Sequence, residues 1–311
     1  MDLIRIGTRG SKLALVQAQW VKARLEEEYP GLDVQTVVIK TSGDRFLQTP
    51  IQAIGGKGIF VKEIEEALLR KEIDLAVHSM KDLPTELPSG LVIAAIPERE
   101  DSRDVVVCRQ RQTLKDLPRG SKIGTGSLRR RAQLLNFRPD LAVVPIRGNV
   151  DTRLSKLDRG EIDALVMAAA GLTRLGCADR IDEFLAPEIC LGAVAQGALG
   201  LETRDSDAAA DLVVFMHQPV TAVEVAAERA FLGRLGGGCQ IPVGARARVA
   251  GQYLDMMGVV ADPDGQKLFR GQIKGAAREA DKLGQELAER LLKEGAEQVL
   301  VAREKIRAHG L

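Results

Sequence analysis

At 311 residues, 45% of them apolar and 28% charged, the chain has material for two or three domains and an ordinary soluble composition. Lys and Arg total 44 against 43 Asp and Glu, and aromatic residues make up only 3%, so neither a basic excess nor stacking side chains point to nucleic acid. No apolar run reaches membrane-spanning length, the N-terminus has no signal-peptide core, and Cys108, Cys177, Cys190 and Cys239 form no C-x-x-C pair; a reducing cytosol is expected, without disulfides or zinc.

In chain order, Leu3 to Ile6 reads as a strand. Gly7-Thr8-Arg9-Gly10 makes a turn, and Ser11 stands as N-cap to a helix from Lys12 to about Tyr29, where Leu13, Val16, Trp20, Val21 and Leu25 recur at helical spacing. A strand, a glycine turn and a helix N-terminus bring backbone N–H groups to one point, a place for an anion. Val34 to Ile39 is a second strand. Residues 41–58 are polar and glycine-rich, long enough for a functional loop. A helix over about 60–71 follows, then the buried-type strand Leu75-Ala76-Val77, which runs into His78-Ser79-Met80-Lys81-Asp82-Leu83-Pro84. Polar residues at the carboxyl end of an α/β strand are where ligand chemistry gathers.

Strands are expected at Leu91 to Ile96, Asp104 to Val107, Leu141 to Ile146 and Ile162 to Met167, with a helix opening after Gly124-Thr125-Gly126-Ser127. Two echoes run through this region. Ile6-Gly7-Thr8 matches Ile123-Gly124-Thr125, and Glu72-Ile73-Asp74-Leu75 matches Glu161-Ile162-Asp163-Ala164, in the same order. They predict two α/β halves of like topology facing each other across a cleft. The segment from Gln196 to Glu202 is expected to strand back into the first half. Helices over about 206–216 and 221–235 lead to strands at 245–249, 253–260 and 267–273, with a turn at Asp262-Pro263-Asp264-Gly265. Helices over about 276–293 and 296–307 complete a smaller α+β domain.

Two features point to chemistry. Arg9, Arg129, Arg130, Arg147, Arg153 and Arg174 all fall at strand ends or helix beginnings, and the forked guanidinium suits a ligand rich in carboxylate or phosphate. Asp82 is an acid among them, held ionised by cations and able to stabilise positive charge or move a proton. The second feature is Gly236-Gly237-Gly238-Cys239-Gln240-Ile241-Pro242, a thiol on a bare bent loop. His78 reads equally as a packed strand residue or a catalyst. Three histidines without H-x-x-x-H spacing give no metal site, and P-loop, G-x-S-x-G and G-x-G-x-x-G patterns are all lacking. The facing halves and arginines by themselves also fit a non-catalytic anion-binding protein, which would leave Asp82 and the cysteine loop idle.

The chain resembles the hydroxymethylbilane synthase (porphobilinogen deaminase) family. The resemblance rests on Ile6-Gly7-Thr8-Arg9-Gly10-Ser11-Lys12-Leu13-Ala14, Gly55-Gly56-Lys57-Gly58-Ile59-Phe60, Ala76-Val77-His78-Ser79-Met80-Lys81-Asp82-Leu83-Pro84, Gly124-Thr125-Gly126-Ser127-Leu128-Arg129-Arg130, Ile146-Arg147-Gly148-Asn149-Val150-Asp151-Thr152-Arg153 and Gly237-Gly238-Cys239-Gln240-Ile241-Pro242. Gly236 departs from the polar or acidic residue many members carry there. The resemblance implies an α/β chain with two domains like type-II periplasmic binding proteins around a cleft: a discontinuous first domain (1–98 and 197–217) and a second (99–196), followed by an α+β third (218–311). It implies a cytoplasmic, monomeric transferase of tetrapyrrole and haem biosynthesis with a dipyrromethane cofactor thioether-linked to Cys239. Four porphobilinogens add head to tail to that primer, each losing ammonia, and hydrolysis releases hydroxymethylbilane. Asp82 matches the catalytic carboxylate, placed to stabilise a cationic methylene-pyrrolenine. Lys81, Asp82, Thr125, Ser127, Arg129, Arg130 and Gly148 match cofactor-binding positions. Arg9, Ser11, Phe60, Arg147, Arg153, Arg174 and Gln196 match substrate-binding positions. Lys57 belongs to a lid, and no metal, nucleic acid or membrane is implied.

Overall fold

The computed structural model describes residues 2–45, 58, 60–236 and 242–300. The glycine-rich stretch with Lys57, the loop carrying Cys239 and the chain beyond 300 lie outside them.

The described residues build two five-stranded sheets and a three-stranded one. The first has the order β2-β1-β3-β10-β4, from β1 (Leu3–Arg9), β2 (Asp33–Ile39), β3 (Leu75–Ser79), β4 (Leu91–Ala95) and β10 (Leu199–Arg204). The second has the order β7-β6-β8-β5-β9, from β5 (Asp104–Cys108), β6 (Lys122–Gly124), β7 (Ala142–Val144), β8 (Ala164–Ala168) and β9 (Glu183–Phe184). In each sheet three parallel strands are followed by one antiparallel strand that arrives from the other half: β10 against β3, and β5 against β8. These two sheets are the two α/β halves of like topology that the echoes predicted, and the expected return of the chain into the first sheet is β10.

The sequence echoes are the same structural device used twice. Ile6 pairs with Leu75 and Gly7 with Ala76; Ile123 pairs with Ala164 and Gly124 with Leu165. Asp74 Oδ2 accepts from the Arg5 amide at 3.0 Å, and Asp163 Oδ2 accepts from the Lys122 amide at 2.8 Å. The glycines are required by close approach. A Cβ at Gly7 would lie 2.2 Å from Ile73 Cδ1, and one at Gly124 would lie 2.7 Å from Ile162 Cδ1. Each half then starts a helix with a serine cap: Ser11 Oγ accepts from the Ala14 amide and Ser127 Oγ from the Arg130 amide. These helices, Lys12–Glu28 and Leu128–Phe137, begin at the carboxyl ends of β1 and β6 and so aim their N-termini into the cleft.

The C-terminal sheet runs β11-β12-β13 (Val243–Ala250, Tyr253–Ala261 and Leu268–Ala276), all antiparallel. Helices Pro219–Arg234 and Ala280–Leu291 cover it, burying Phe231, Met256, Leu254 and Leu287 in the largest apolar cluster. That cluster continues into the first half through Val61, Met80 and Leu83. Helical backbone continues through a π turn at Leu292–Ala296 to residue 300, and the rest of the expected last helix lies outside the described residues.

Candidate active site

β3 ends in the cleft at Ser79 and passes into a 3-10 turn, Met80–Asp82. Met80 is buried and its amide donates to the Ala198 carbonyl at 3.0 Å, so the turn is pinned from below by the returning chain before β10. That anchoring exposes the next two side chains, Lys81 and Asp82, in part to the cleft. Asp82 lines one pocket with Arg9, Ser11, Phe60, Ser79 and Gln17. The Arg9 guanidinium carbon lies 4.3 Å from the centre of the Phe60 ring, which holds the cation in place by stacking. Four residues named from sequence, Arg9, Ser11, Phe60 and Asp82, therefore meet here. Gln17 was not named; it lies within the first helix and donates to Ser79 Oγ at 3.1 Å.

The second half contributes a denser cationic group. Arg129 and Arg130 are buried, not rim residues as their positions at the helix start suggested. Both converge on Asp104, the first residue of β5: Arg129 Nη1 to Oδ2 at 2.6 Å and Arg130 Nη2 to Oδ1 at 2.8 Å. Burial alone would push the Asp104 carboxyl up, but the two guanidiniums outweigh it and hold the group far below the usual carboxylate range. Asp104 was not singled out from sequence, although a signal was there. An acid opening an apolar strand that is buried along its whole length needs a cation. Gln196 Nε2 also donates to Asp104 Oδ1, at 2.8 Å.

The other arginines bear on this group. Arg153 Nε donates to the Gly148 carbonyl at 2.8 Å; burial, then Arg130 and Arg147, lower its pKa to about 10. Arg174 Nη2 donates to the Gly197 carbonyl at 2.6 Å, on the chain returning to the first half. Thr125 Oγ1 accepts from the Ser127 amide, shaping the turn ahead of the helix. Lys81 faces the same field. Desolvation lowers its ammonium pKa to about 8, with Arg130 and Arg129 adding to the shift and Asp82 and Asp104 opposing it. His78, on β3 itself, is buried, and its Nε2 lies 2.9 Å from Glu202 Oε2, so the ring is packed against an acid of β10. The resulting cleft sets several cations around the partly exposed Asp82, a setting for a ligand with several carboxylates that develops positive charge as it reacts.

Comparison with known proteins agrees with this geometry. Residues 4–211 match the family model for porphobilinogen deaminase, dipyromethane cofactor binding domain, and residues 222–293 match its C-terminal domain. The chain belongs to the porphobilinogen deaminase family. The porphobilinogen deaminase of Geobacter metallireducens is 53% identical over 310 residues, 97% of this chain and 97% of that one. That of Geobacter sulfurreducens is 52% identical over 301 residues, covering 96% and 94%. Solved structures offer looser likeness: an ancestral cationic amino acid solute binding protein is 16% identical with a TM-score of 0.44, over 69% of this chain and 88% of that one. The family activity is a transferase reaction that joins porphobilinogens on a dipyrromethane primer. The donor set suits such a group. Among the described residues, Arg130 Nε is a buried donor without a hydrogen-bond partner, and Gln196 Oε1 a buried acceptor without one. A group bearing carboxylates and pyrrole N–H would satisfy both kinds of atom.

Proposed function

We propose that Asp82 is the catalytic carboxylate of this porphobilinogen-polymerising transferase, and that Cys239 is the covalent anchor of its dipyrromethane. What supports the reading most is the placing of Asp82 on a turn pinned by Ala198, beside Lys81 and opposite the Arg129–Arg130–Asp104 group. When bound, the dipyrromethane supplies the ring carbon to which the first porphobilinogen is joined.

The chain's own residues then divide the work. Lys81, Thr125, Ser127, Arg129, Arg130 and Gly148 hold the primer; Arg9, Ser11, Phe60, Arg147, Arg153, Arg174 and Gln196 hold the incoming ring and the growing product. Each porphobilinogen brings an acetate and a propionate, so an arginine-lined track must absorb charge at every step. Asp82 accepts from a pyrrole N–H and stabilises the positive charge that develops as the C–N bond breaks and ammonia leaves. A bound primer would offer its free pyrrole α-carbon to the methylene carbon that has lost ammonia, and Asp82 would accept the proton that α-carbon sheds as the C–C bond forms. After the fourth addition water cleaves the product from the primer. Lys57, outside the described residues, is assigned to a lid.

The domain division that suits this work is 1–98 with 197–217, then 99–196, then 218–311, with β10 completing the first sheet. The chain is read as a cytoplasmic monomer; free Cys108, Cys177 and Cys190 suit a reducing compartment. Sedimentation at working concentration and fractionation of the source cell test those two points; a stable dimer or an exported protein would overturn them.

The deciding experiment is intact mass with Ehrlich's reagent. The native protein should exceed its sequence mass by two linked pyrroles and give colour, and Cys239→Ala should do neither. Asp82→Asn should keep the added mass while turnover falls roughly a thousand-fold; near-normal turnover would remove Asp82 from its role.

A further inference from the structure

We propose that the segment Cys190–Gly192 is a strap by which the C-terminal sheet positions Arg129. The inference rests on Arg129 being a carboxylate-binding residue of the cleft, and concerns what holds it there.

Arg129 Nη1 reaches past Asp104 to the Leu191 carbonyl at 2.6 Å. Leu191 is clasped on its other side by Gln133, one turn further along the same helix. Gln133 Oε1 accepts from the Leu191 amide at 2.8 Å, and Gln133 Nε2 donates to the Leu191 carbonyl at 3.1 Å. Both are buried, so these bonds have little competition from water.

The strap is in turn registered by the C-terminal sheet at two separate points. On β11 the Ala245 amide donates to the Gly192 carbonyl at 3.1 Å. A Cβ at the neighbouring Gly244 would stand 2.8 Å from both the Leu191 and Gly192 carbonyl oxygens, so only glycine lets the strand come this near. On β13, Arg270 Nη2 donates to Gln133 Oε1 at 3.1 Å and Nη1 donates to the Pro187 carbonyl at 2.5 Å. The β12–β13 turn holds the far end of the arginine helix as well, with Asn136 Nδ2 donating to the Gly265 carbonyl at 2.9 Å. Pro242, which follows the cysteine loop, leads into β11. The sheet next to the tether thus also sets the guanidinium that meets the tethered chain. Any shift of that sheet would be passed to Arg129 through the strap.

Arg270→Met and Gly244→Ala disturb the strap from two sides without touching the cleft, and Arg270→Lys restores one of the two bonds. The first readout needs no cofactor. In Cys239→Ala apoprotein, exchange of the Arg129 guanidinium protons should quicken about ten-fold with Arg270→Met and with Gly244→Ala, and less with Arg270→Lys; unchanged exchange in the first two overturns the strap. The second readout is the distribution of enzyme–intermediate masses. Arg270→Met should stall at the chain length where Arg129→Ala stalls, with the step about ten-fold slower, and the double variant should be no worse than Arg129→Ala. Additive losses would overturn the coupling. If Arg129→Ala stalls at no particular length while the exchange result holds, the carboxylate-binding reading of Arg129 fails and the strap stands.

Discussion

Lys81 follows β3 and Glu65 lies on the helix Lys62–Leu69, and burial moves their protons in opposite senses. In its proposed role Lys81 would hold a carboxylate only as ammonium, and its pKa is lowered to about 8, chiefly by desolvation. With a depressed pKa the charged form is lost as pH rises through that value. The parent kcat/KM should therefore fall on the alkaline side of about pH 8, and Lys81→Arg should carry the plateau to higher pH; identical profiles would show that the charge of Lys81 does not hold the primer in its working position. Glu65, buried near His78 and Glu202, is pushed up to about 7 by burial and then by the Glu202 charge, with His78 opposing. A carboxyl whose folded pKa is raised contributes stability fully below its unfolded value and loses it as pH rises through the folded one. Glu65→Gln stays neutral, and Glu65 Oε1 has no hydrogen-bond partner to lose. The variant should gain on the parent between pH 5 and pH 8, by on the order of 2 kcal/mol. Urea unfolding at the two pH values checks this, and an equal difference at both would count against a shifted Glu65.

Among the elements, the repeated strand–turn–helix unit is the best test of why the sequence reads twice. Gly7 and Gly124 are glycines because an isoleucine from the neighbouring strand's lead-in fills the space of their Cβ. Gly7→Ala should cost about 1–3 kcal/mol by overpacking, and Ile73→Val, which removes the clashing Cδ1, should recover part of it. Chemical denaturation of the two single variants and the double would show this as a favourable coupling; simple additivity would mean the glycine is kept for another reason. These motifs were legible because steric demands at close strand contacts allow few residues. The strand β9, of two residues, left no periodicity to read, and the His78–Glu202 pair joins positions 124 apart in the chain.

At the scale of the molecule, the two α/β domains and the C-terminal sheet meet at one buried acid. Glu228, on the helix Pro219–Arg234, accepts from Arg99 Nη1 at 2.7 Å and Nη2 at 3.0 Å, from the Ala195 amide at 2.6 Å and from the Ala247 amide at 2.8 Å. Arg99 lies on the chain crossing into the second domain, Ala195 on the chain coming back and Ala247 on β11. Burial opposes the Arg99 charge, yet Glu228 more than compensates and raises its pKa. Glu228→Gln turns an amide against these donors and should lower stability by about 3–5 kcal/mol, loosening the third domain from both crossings. Calorimetry should then show a lower, broader transition; an unchanged single transition would deny the acid this joining role.

The sequence by itself determined the family, the doubled α/β plan and the glycine turns that lead into serine-capped helices, because glycine and capping residues obey local sterics that leave a local trace. Only the tertiary structure decided which charges meet. Arg129 and Arg130 look like rim cations in the chain and are buried around Asp104 in the fold; Glu228 reads as one more helical glutamate and proves to join three parts of the molecule. Such pairings depend on long-range approach and on desolvation, and a charged residue's neighbours in space have no fixed spacing in sequence.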